Sequence, residues 1–593
     1  MRRNILKVFA FLLSAIAVFL VGCDGQNGHE CSFIQTVQSE GYLKEDTTCE
    51  HGKLYYYSCT CGAHGEETFE VGNSGIHVFS QKIVSEKYLK YEATCQEGAV
   101  YYKACESCGK AASGNMVFTH GEPTGEHHYT EEIVSEQYMK EEATLTSGEL
   151  YYKSCVCGAV GTETFSYGEP LKVYTEVEKE SYKPTSLTVT LYDSKNSVYG
   201  FAWNTLKMPL RPVIQIGKDG LTGDYEEYLA NVEVATSLNA NDKEFTYYTV
   251  KVAVDLDPSE TYTYRAYDKY VDVGTDMATL QTKDTKATAF TFVHMSDSQE
   301  TADSTGEGTG RYFEQVLSQI VGSSDFIVHT GDVVQDAKYK GHWDGMLDSN
   351  FAYLSKIPLM AISGNHETDS GHGYWHSTYN HFNFNLPEQK STQTGLYYSF
   401  VYGNAKFIML NTNELTARNG LKNEQYNWLV SELENNTATW TIVGMHNPMY
   451  SVGKWGMDTS RNQASLGLRA QLQSLFAEYG VDVVLQGHDH IVSKTFPING
   501  RGEPQSEKRE TVDGVEYSVD PSGVIYVMNG PVGDQRRDTY GSDNSVYEYG
   551  QIANTRSWAE FAIDGEYMKV TVKYYDGTQA KTYYTWGVKK TAA

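Results

Sequence analysis

Basic residues are scarce in this chain of 593 residues: 48 Lys and Arg stand against 76 Asp and Glu, a formal net charge of −28. A surface of that sign repels phosphate backbones and anionic lipid, so nucleic-acid binding by the bulk surface is excluded. Cysteine is absent beyond Cys157, which removes disulfides and thiolate ligands from the larger, C-terminal part. Long apolar runs are also missing outside the N-terminus, so no other stretch is apolar enough to span a bilayer. What the chain has is length and aromatic side chains. It is too long for one core and reads as three or more domains of about 100–200 residues each. With 46 Tyr and 13% aromatics, it is no disordered chain and favours Tyr-rich β modules.

The first residues, MRRNILKVFAFLLSAIAVFLVGC, set Arg2, Arg3 and Lys7 before an apolar run from Val8 to Leu20. That run is too short for a confident spanning helix. Its end, Leu20-Val21-Gly22-Cys23, resembles the lipobox of bacterial lipoproteins. The resemblance implies a signal peptide over residues 1–23, lipidation of Cys23, and an extracytoplasmic protein held at the bacterial cell surface only through its lipid anchor.

Self-similarity follows. "GYLKEDTTCEHGKLYYYSCTCG", "KYLKYEATCQEGAVYYKACESCG" and "QYMKEEATLTSGELYYKSCVCG" align on Tyr42, Tyr88 and Tyr138. These are three Cys/His/Tyr-rich repeats, at about 29–75, 76–125 and 126–170. One column holds Cys31, His77 and His127. The next holds Cys49, Cys95 and Leu145, then Cys59, Cys105 and Cys155, then Cys61, Cys108 and Cys157. Read repeat by repeat, Cys31, Cys49, Cys59 and Cys61 form one set of four. His77, Cys95, Cys105 and Cys108 form another, and repeat three is depleted at Leu145. Four soft donors suit a structural zinc; export would favour disulfides instead; free thiols are the third possibility. Either crosslink compensates for a small core. The repeats read as a spacer, or as modules that contact cell-surface or wall components.

Residues 171–286 carry period-two alternation in "SLTVTLYDSKNSVYGFAWNT", "FTYYTVKVAV" and "TYTYRAYDKYVDVG". Asp193, Asn196, Gly217, Gly220 and Pro258 break the runs, a β-sandwich pattern that reads as a packing or spacing domain. From residue 287 to 593 strand-like runs alternate with amphipathic ones. Arg311 to Val321, for example, puts Phe313, Val316, Leu317 and Ile320 on one face, so this part is an α/β layered domain.

Five of the apolar runs deliver polar residues at one end. Phe290–Met295 is followed by Ser296-Asp297-Ser298-Gln299, and Phe326–Thr330 by Gly331-Asp332. Ile357–Ile362 leads to Gly364-Asn365-His366-Glu367, Trp440–Met445 to His446-Asn447, and Val481–Leu485 to Gly487-His488-Asp489-His490. Ligands of open α/β sheets bind at that end of the strands. Each motif alone is weak, but five in one domain point to one site.

The order Asp-x-Gln, Gly-Asp, Gly-Asn-His-Glu, Gly-x-His and Gly-His-x-His is similar to the calcineurin-like metallophosphoesterases. "KGHWDGM", "GLYYSFVYGNAKFIMLNTNE" and "GMHNPMYS", with the preceding β domain, resemble the purple acid phosphatase branch and its fibronectin-type-III-like N-terminal domain. The resemblance implies a four-layer αββα domain with two metals at the strand ends. One metal would be held by Asp297, Gln299, Asp332 and His490, the other by Asp332, Asn365, His446 and His488, with Asp332 shared. Mixed N/O donors without thiolate suit divalent Mn, Fe, Zn or Ni. The implied reaction is hydrolysis of phosphate monoesters by metal-bound hydroxide, with His366 giving a proton to the leaving group. The alternatives are a phosphodiesterase, or a surface-binding protein with a non-catalytic phosphatase-like scaffold. Glu367 is expected to orient an imidazole. Purple enzymes carry a tyrosine three residues after the shared Asp; Gln335 stands there, so no ferric tyrosinate is expected. Val492 and Lys494 stand where relatives often have an aromatic residue and an Arg.

Overall fold

The computed structural model describes residues 32–591, apart from 73, 76, 193–196, 284–286, 302–309, 369–380, 383–389, 393–394, 417–419, 455–462, 536–544 and 553–555. Cys23 and Cys31 therefore lie outside the described residues, as do most of residues 368–395 and, within 451–467, residues 455–462. The chain divides into two compact units. One ends with Gly148–Tyr167 after Ala143; the other comprises Thr144–Ser147 and Gly168–Ala593.

The first unit contains three small antiparallel sheets of three strands, one per repeat. Each begins with a single 3-10 turn, Glu40–Tyr42, Glu86–Tyr88 or Glu136–Tyr138. The anchoring tyrosine of each turn donates its hydroxyl proton to a glycine carbonyl: Tyr42 to Gly62 at 3.0 Å, Tyr88 to Gly109 at 2.7 Å, Tyr138 to Gly158 at 3.3 Å. Each of these glycines follows a cysteine pair and has positive φ (89°, 67° and 88°), a conformation cheap only for glycine. The recurring Tyr and Gly thus close each module around its cysteines.

In the second unit, two antiparallel sheets come first. Thr185–Leu191, Val198–Thr205, Glu244–Asp255 and Asn231–Leu238 form one; Pro212–Gly217 and Thr261–Asp268 are central to the other. Leu187, Val189, Phe201, Trp203, Ile214 and Tyr264 of these sheets belong to one apolar cluster. Alternation along Thr185–Leu191 and Val198–Thr205 predicts one solvated face, yet nearly every residue there is buried. The following domain covers that face. Ser186 Oγ donates to Asp344 at 2.6 Å, and Ser186 N to Asp348 at 2.6 Å. Thr188 Oγ1 donates to the His381 carbonyl at 2.6 Å. The polar half of the pattern is buried because each hydroxyl found a partner there.

Two eight-stranded sheets follow. In the first, Ala289–Met295, Phe326–His329 and Leu359–Ala361 run parallel, and the antiparallel strands Ser557–Asp564, Tyr567–Tyr575 and Ala580–Lys589 extend it. In the second, Ala405–Met409, Trp440–Met445, Val483–Gln486 and Ile525–Asn529 run parallel. Phe292 and Phe326 of the first meet Phe407 of the second with ring centroids 5.1 and 5.3 Å apart. Along the second sheet, Phe407, Ile442, Val483 and Val527 belong to that inner core. Their neighbours Ile408, Val443, Val484 and Tyr526 pack in a second cluster with Leu429 and Leu433 of helix Asn423–Glu434 and Leu472 and Phe476 of helix Gln463–Glu478. A strand with both faces covered reads as a continuous apolar run, which is how these segments look in sequence. Helix Arg311–Ile320 buries Phe313, Val316, Leu317 and Ile320, the face its periodicity marks.

Candidate metal centre

Strand register brings the polar loops level. Met295 pairs with His329 and His329 with Ala361, so the three parallel strands of the first sheet end in line. In the second, Met445 pairs with Gln486. Main-chain bonds then stitch the loops: Asp297 N donates to Gly331 O at 3.0 Å, Gln299 N to Asp332 O at 3.1 Å, and Gly487 N to His446 O at 3.1 Å. His488 N donates to both Asp297 carboxylate oxygens at 3.0 Å, tying one sheet's loop to the other's.

Asp332, His446 and His488 bring their donor atoms within 4.8 Å of one another, and so do Asp297, Asp332 and His490. Asp332 belongs to both groups. Asn365 Oδ1 lies 3.0 Å from His446 Nε2. The Gln299 carboxamide, with its nitrogen turned to the Asp332 and Asp297 carbonyls at 3.0 and 3.3 Å, faces His490 Nε2 with its oxygen at 3.3 Å. All seven expected ligands therefore meet at one place. Asp297, Gln299, Asp332, His446 and His490 are essentially inaccessible, whereas Asn365 is exposed at the mouth. Asp297, Asp332, His488 and His490 all have positive φ, between 49° and 78°. That conformation is strained for residues with a Cβ and collects where the backbone serves a site.

The imidazoles are held from behind. His446 Nδ1 donates to Thr330 O at 2.8 Å, and His490 Nδ1 to Gln535 O at 3.0 Å. Each leaves Nε2 turned to the carboxylates, 3.4 Å from Asp332 and 3.3 Å from Asp297 respectively. Backing of this kind fixes the tautomer of a metal-binding histidine. The electrostatics also favour cations. Burial opposes charge on His446, but Asp332 beside it prevails and pushes its pKa up to about 9. Burial likewise opposes charge on Asp297, yet His490 holds it down to about 2. The carboxylates stay ionised and draw positive charge into the pocket. Shared carboxylate, neutral amide oxygens and backed imidazoles fit divalent metal ions.

His366 sits at the rim, its side chain 21% exposed, with Nε2 3.8 Å from Asp332. Its Nδ1 donates to Gln335 O at 2.5 Å. Glu367 does not orient an imidazole. Its carboxylate accepts from the main-chain N–H groups of Asp332, Val333, Val334 and Gly364, at 2.6 to 3.2 Å. It is a buried clamp on the loop carrying the shared Asp332. Gly364 is required there, because a Cβ would lie 2.1 Å from Asp332 Oδ1. Lys494 is not in the site; it pairs with Glu548 and stands 4.8 Å over the Trp586 ring. Gln335 Oε1 accepts from Gln535 Nε2 at 2.7 Å.

Two buried residues that motif reading passed over are His294 and His329. His294 lies between Thr330 Oγ1 at 3.0 Å and the Asn529 amide at 2.8 Å. His329 reaches Ser298 Oγ at 3.0 Å and accepts from Gly331 N at 3.2 Å. Burial drops their pKa to about 3 and 4, so both are neutral braces under the loops. Each stands three residues before a ligand aspartate inside an apolar strand, a signal visible in the sequence.

The chain is similar to Purple acid phosphatase 15 of Arabidopsis thaliana (27% identity over 206 residues, 34% of each chain). It is also similar to Acid phosphatase type 7 of Homo sapiens (29% over 235 residues, 37% of this chain and 50% of that one). An uncharacterized protein of Mycobacterium tuberculosis is 28% identical over 210 residues, 33% of this chain and 39% of that one. The chain thus spans well under two thirds of the length of these relatives. The solved structure of purple acid phosphatase PPD1 from yellow lupin seeds shares the fold, with a TM-score of 0.55 and 17% identity over 75% of this chain and 80% of that one. Residues 290–492, which carry all the motifs above, match the family described as Calcineurin-like phosphoesterase, and this part of the chain is a domain of that kind.

Proposed function

We propose that this domain hydrolyses phosphate esters with two divalent metal ions, and that monoesters are its preferred substrates. The observation that supports this most is the sharing of Asp332 between two donor groups, Asp297 and His490 on one side, His446 and His488 on the other. Gln299 would complete the first set and Asn365 the second. When bound, such ions supply Lewis acidity toward a phosphoryl group and an activated water. The chain's residues do the rest. Glu367 and Gly364 hold the Asp332 loop, Thr330 and Gln535 aim the imidazoles, and His366, with Nδ1 engaged and Nε2 at the rim, gives a proton to the leaving oxygen. Without a tyrosine at position 335, the protein has no tyrosinate-to-iron colour.

In the same reading, the two sheets over residues 185–281 are the fibronectin-type-III-like domain of the purple acid phosphatase branch. The protein is exported and anchored through a lipid on Cys23. The full chain loaded with Mn or Zn should hydrolyse an aryl phosphate, lose that activity to a chelator and regain it on metal addition, and act more slowly on a bis-aryl diester. A metal-loaded, folded protein inactive on both ester types would overturn the assignment; faster diester hydrolysis would overturn the monoester preference.

A further inference from the structure

Two clusters of soft donors lie in the repeat unit, outside the site described above. Cys49, His77, Cys105 and Cys108 bring their donor atoms within 4.8 Å of one another, and Cys95, His127, Cys155 and Cys157 do the same. This grouping is not the repeat-by-repeat one the sequence predicts. Cys49 belongs to repeat one, but its three companions belong to repeat two. Cys95 belongs to repeat two, its companions to repeat three.

The chain path explains the exchange. Thr48 O accepts from Gly75 N at 2.6 Å, and Thr94 O from Thr124 N at 2.8 Å. The segment leaving each repeat is thereby tied back to the turn that carries its second-column cysteine. The next repeat's histidine, two or three residues further on, arrives beside that cysteine.

The distances discriminate between crosslinks. Cys49 and Cys105 sulfurs are 3.5 Å apart, as are those of Cys95 and Cys155. His77 Nδ1 lies 3.5 Å from Cys108 Sγ, and His127 Nδ1 3.3 Å from Cys157 Sγ. A disulfide closes to about 2.05 Å. Thiolates around a tetrahedral zinc, at Zn–S of about 2.3 Å, stand about 3.8 Å apart. None of the six cysteines in these clusters is in a disulfide.

We propose that the two clusters are structural zinc sites, each made of three thiolates and one imidazole and each spanning the junction between consecutive repeats. Small modules rarely hold a core of their own, and in repeat arrays stability resides largely in neighbour interfaces. Here the metal is that interface. The scheme also accounts for Leu145, which stands exposed in the second column of the last repeat. A donor at that position would serve a following repeat, and none follows. Repeat three is therefore complete, with Cys95 supplied by its predecessor.

The test is zinc content of the full chain, loaded with zinc under reducing conditions, desalted and measured by elemental mass spectrometry. Cys49→Ser and Cys105→Ser should each lower zinc by one equivalent relative to the unaltered protein, and the double variant also by one. If each repeat holds its own metal, the double variant loses two, and the proposal is overturned. No loss from either single variant, or Cys49–Cys105 and Cys95–Cys155 disulfides in a zinc-free protein, overturns it as well. His77→Cys guards against misfolding: the resulting all-thiolate site should retain the full zinc content, and loss of one equivalent would sink the assignment. In the unaltered protein, cobalt should give a thiolate-to-cobalt charge-transfer band that withdraws on adding zinc; its absence would exclude thiolate ligation.

Discussion

In the repeats, donors from neighbouring modules meet through a tie between main-chain segments. In the phosphoesterase domain, donors from five loops meet because the parallel strands of two mixed sheets deliver those loops to one end. The first arrangement has little core besides its cysteines and tyrosines. The second has two large apolar clusters that include none of the donor residues. Metal in the repeats is therefore expected to supply folding free energy, whereas metal in the phosphoesterase domain fills a pocket that packing and strained backbone have already shaped. A scaffold can hold four residues at positive φ only where its surroundings outweigh the strain.

The sharpest way to break that contrast is Asp332→Asn. It should lower phosphatase activity by about a thousandfold or more, several kcal/mol of lost transition-state stabilisation. Circular dichroism and the repeats' zinc content should stay as they were. Unfolding of the domain by this change would erase the distinction.

Gly364→Ala comes next. Its Cβ would press on Asp332 Oδ1 and N, at 2.1 and 2.3 Å. A displacement of about 1 Å there should cost about a hundredfold in kcat/KM, with a modest fall in thermal stability of this unit only. His366→Ala should slow hydrolysis of an alkyl phosphate by about 10²–10⁴-fold and of a nitrophenyl phosphate far less, since that leaving group departs without a proton. Equal losses on both substrates would remove His366 from the acid role.

The smallest effect tests the seam between the sandwich-like sheets and the phosphoesterase domain. Burial, and then the Asp344 charge, push Asp348 from 3.8 up to about 6. A carboxyl with a raised folded pKa costs no stability below its unfolded pKa and weakens the fold as pH rises through that window. Asp348→Asn should thus leave the melting temperature unchanged near pH 3 and raise stability by on the order of 1–2 kcal/mol at pH 7. Calorimetry should show the shift in this unit's transition and none in the repeats'.

Much of the site was legible because its chemistry is written at strand ends. Asp297, Asp332, Asn365, His446, His488 and His490 each follow an apolar run, and apolar runs mark strands buried on both faces. Glu367 was misread because its partners are main-chain N–H groups, which carry no sequence signature. Ser186 and Thr188 looked solvated because alternation reports polarity, not what covers it. Lys494 sat at a family position, but its strand carries it to Glu548 and Trp586 instead.

The amino-acid sequence alone determined which residues are donors, which runs are strands and where one kind of module gives way to another, since these follow from side-chain chemistry and local periodicity. Partnership between donors was decided in three dimensions. Two sheets had to align before Asp332 could stand between His446 and Asp297. A chain had to fold back on Thr48 before Cys49 could leave its own repeat and join His77, because proximity between distant residues is set by packing and main-chain hydrogen bonds that column alignment cannot register.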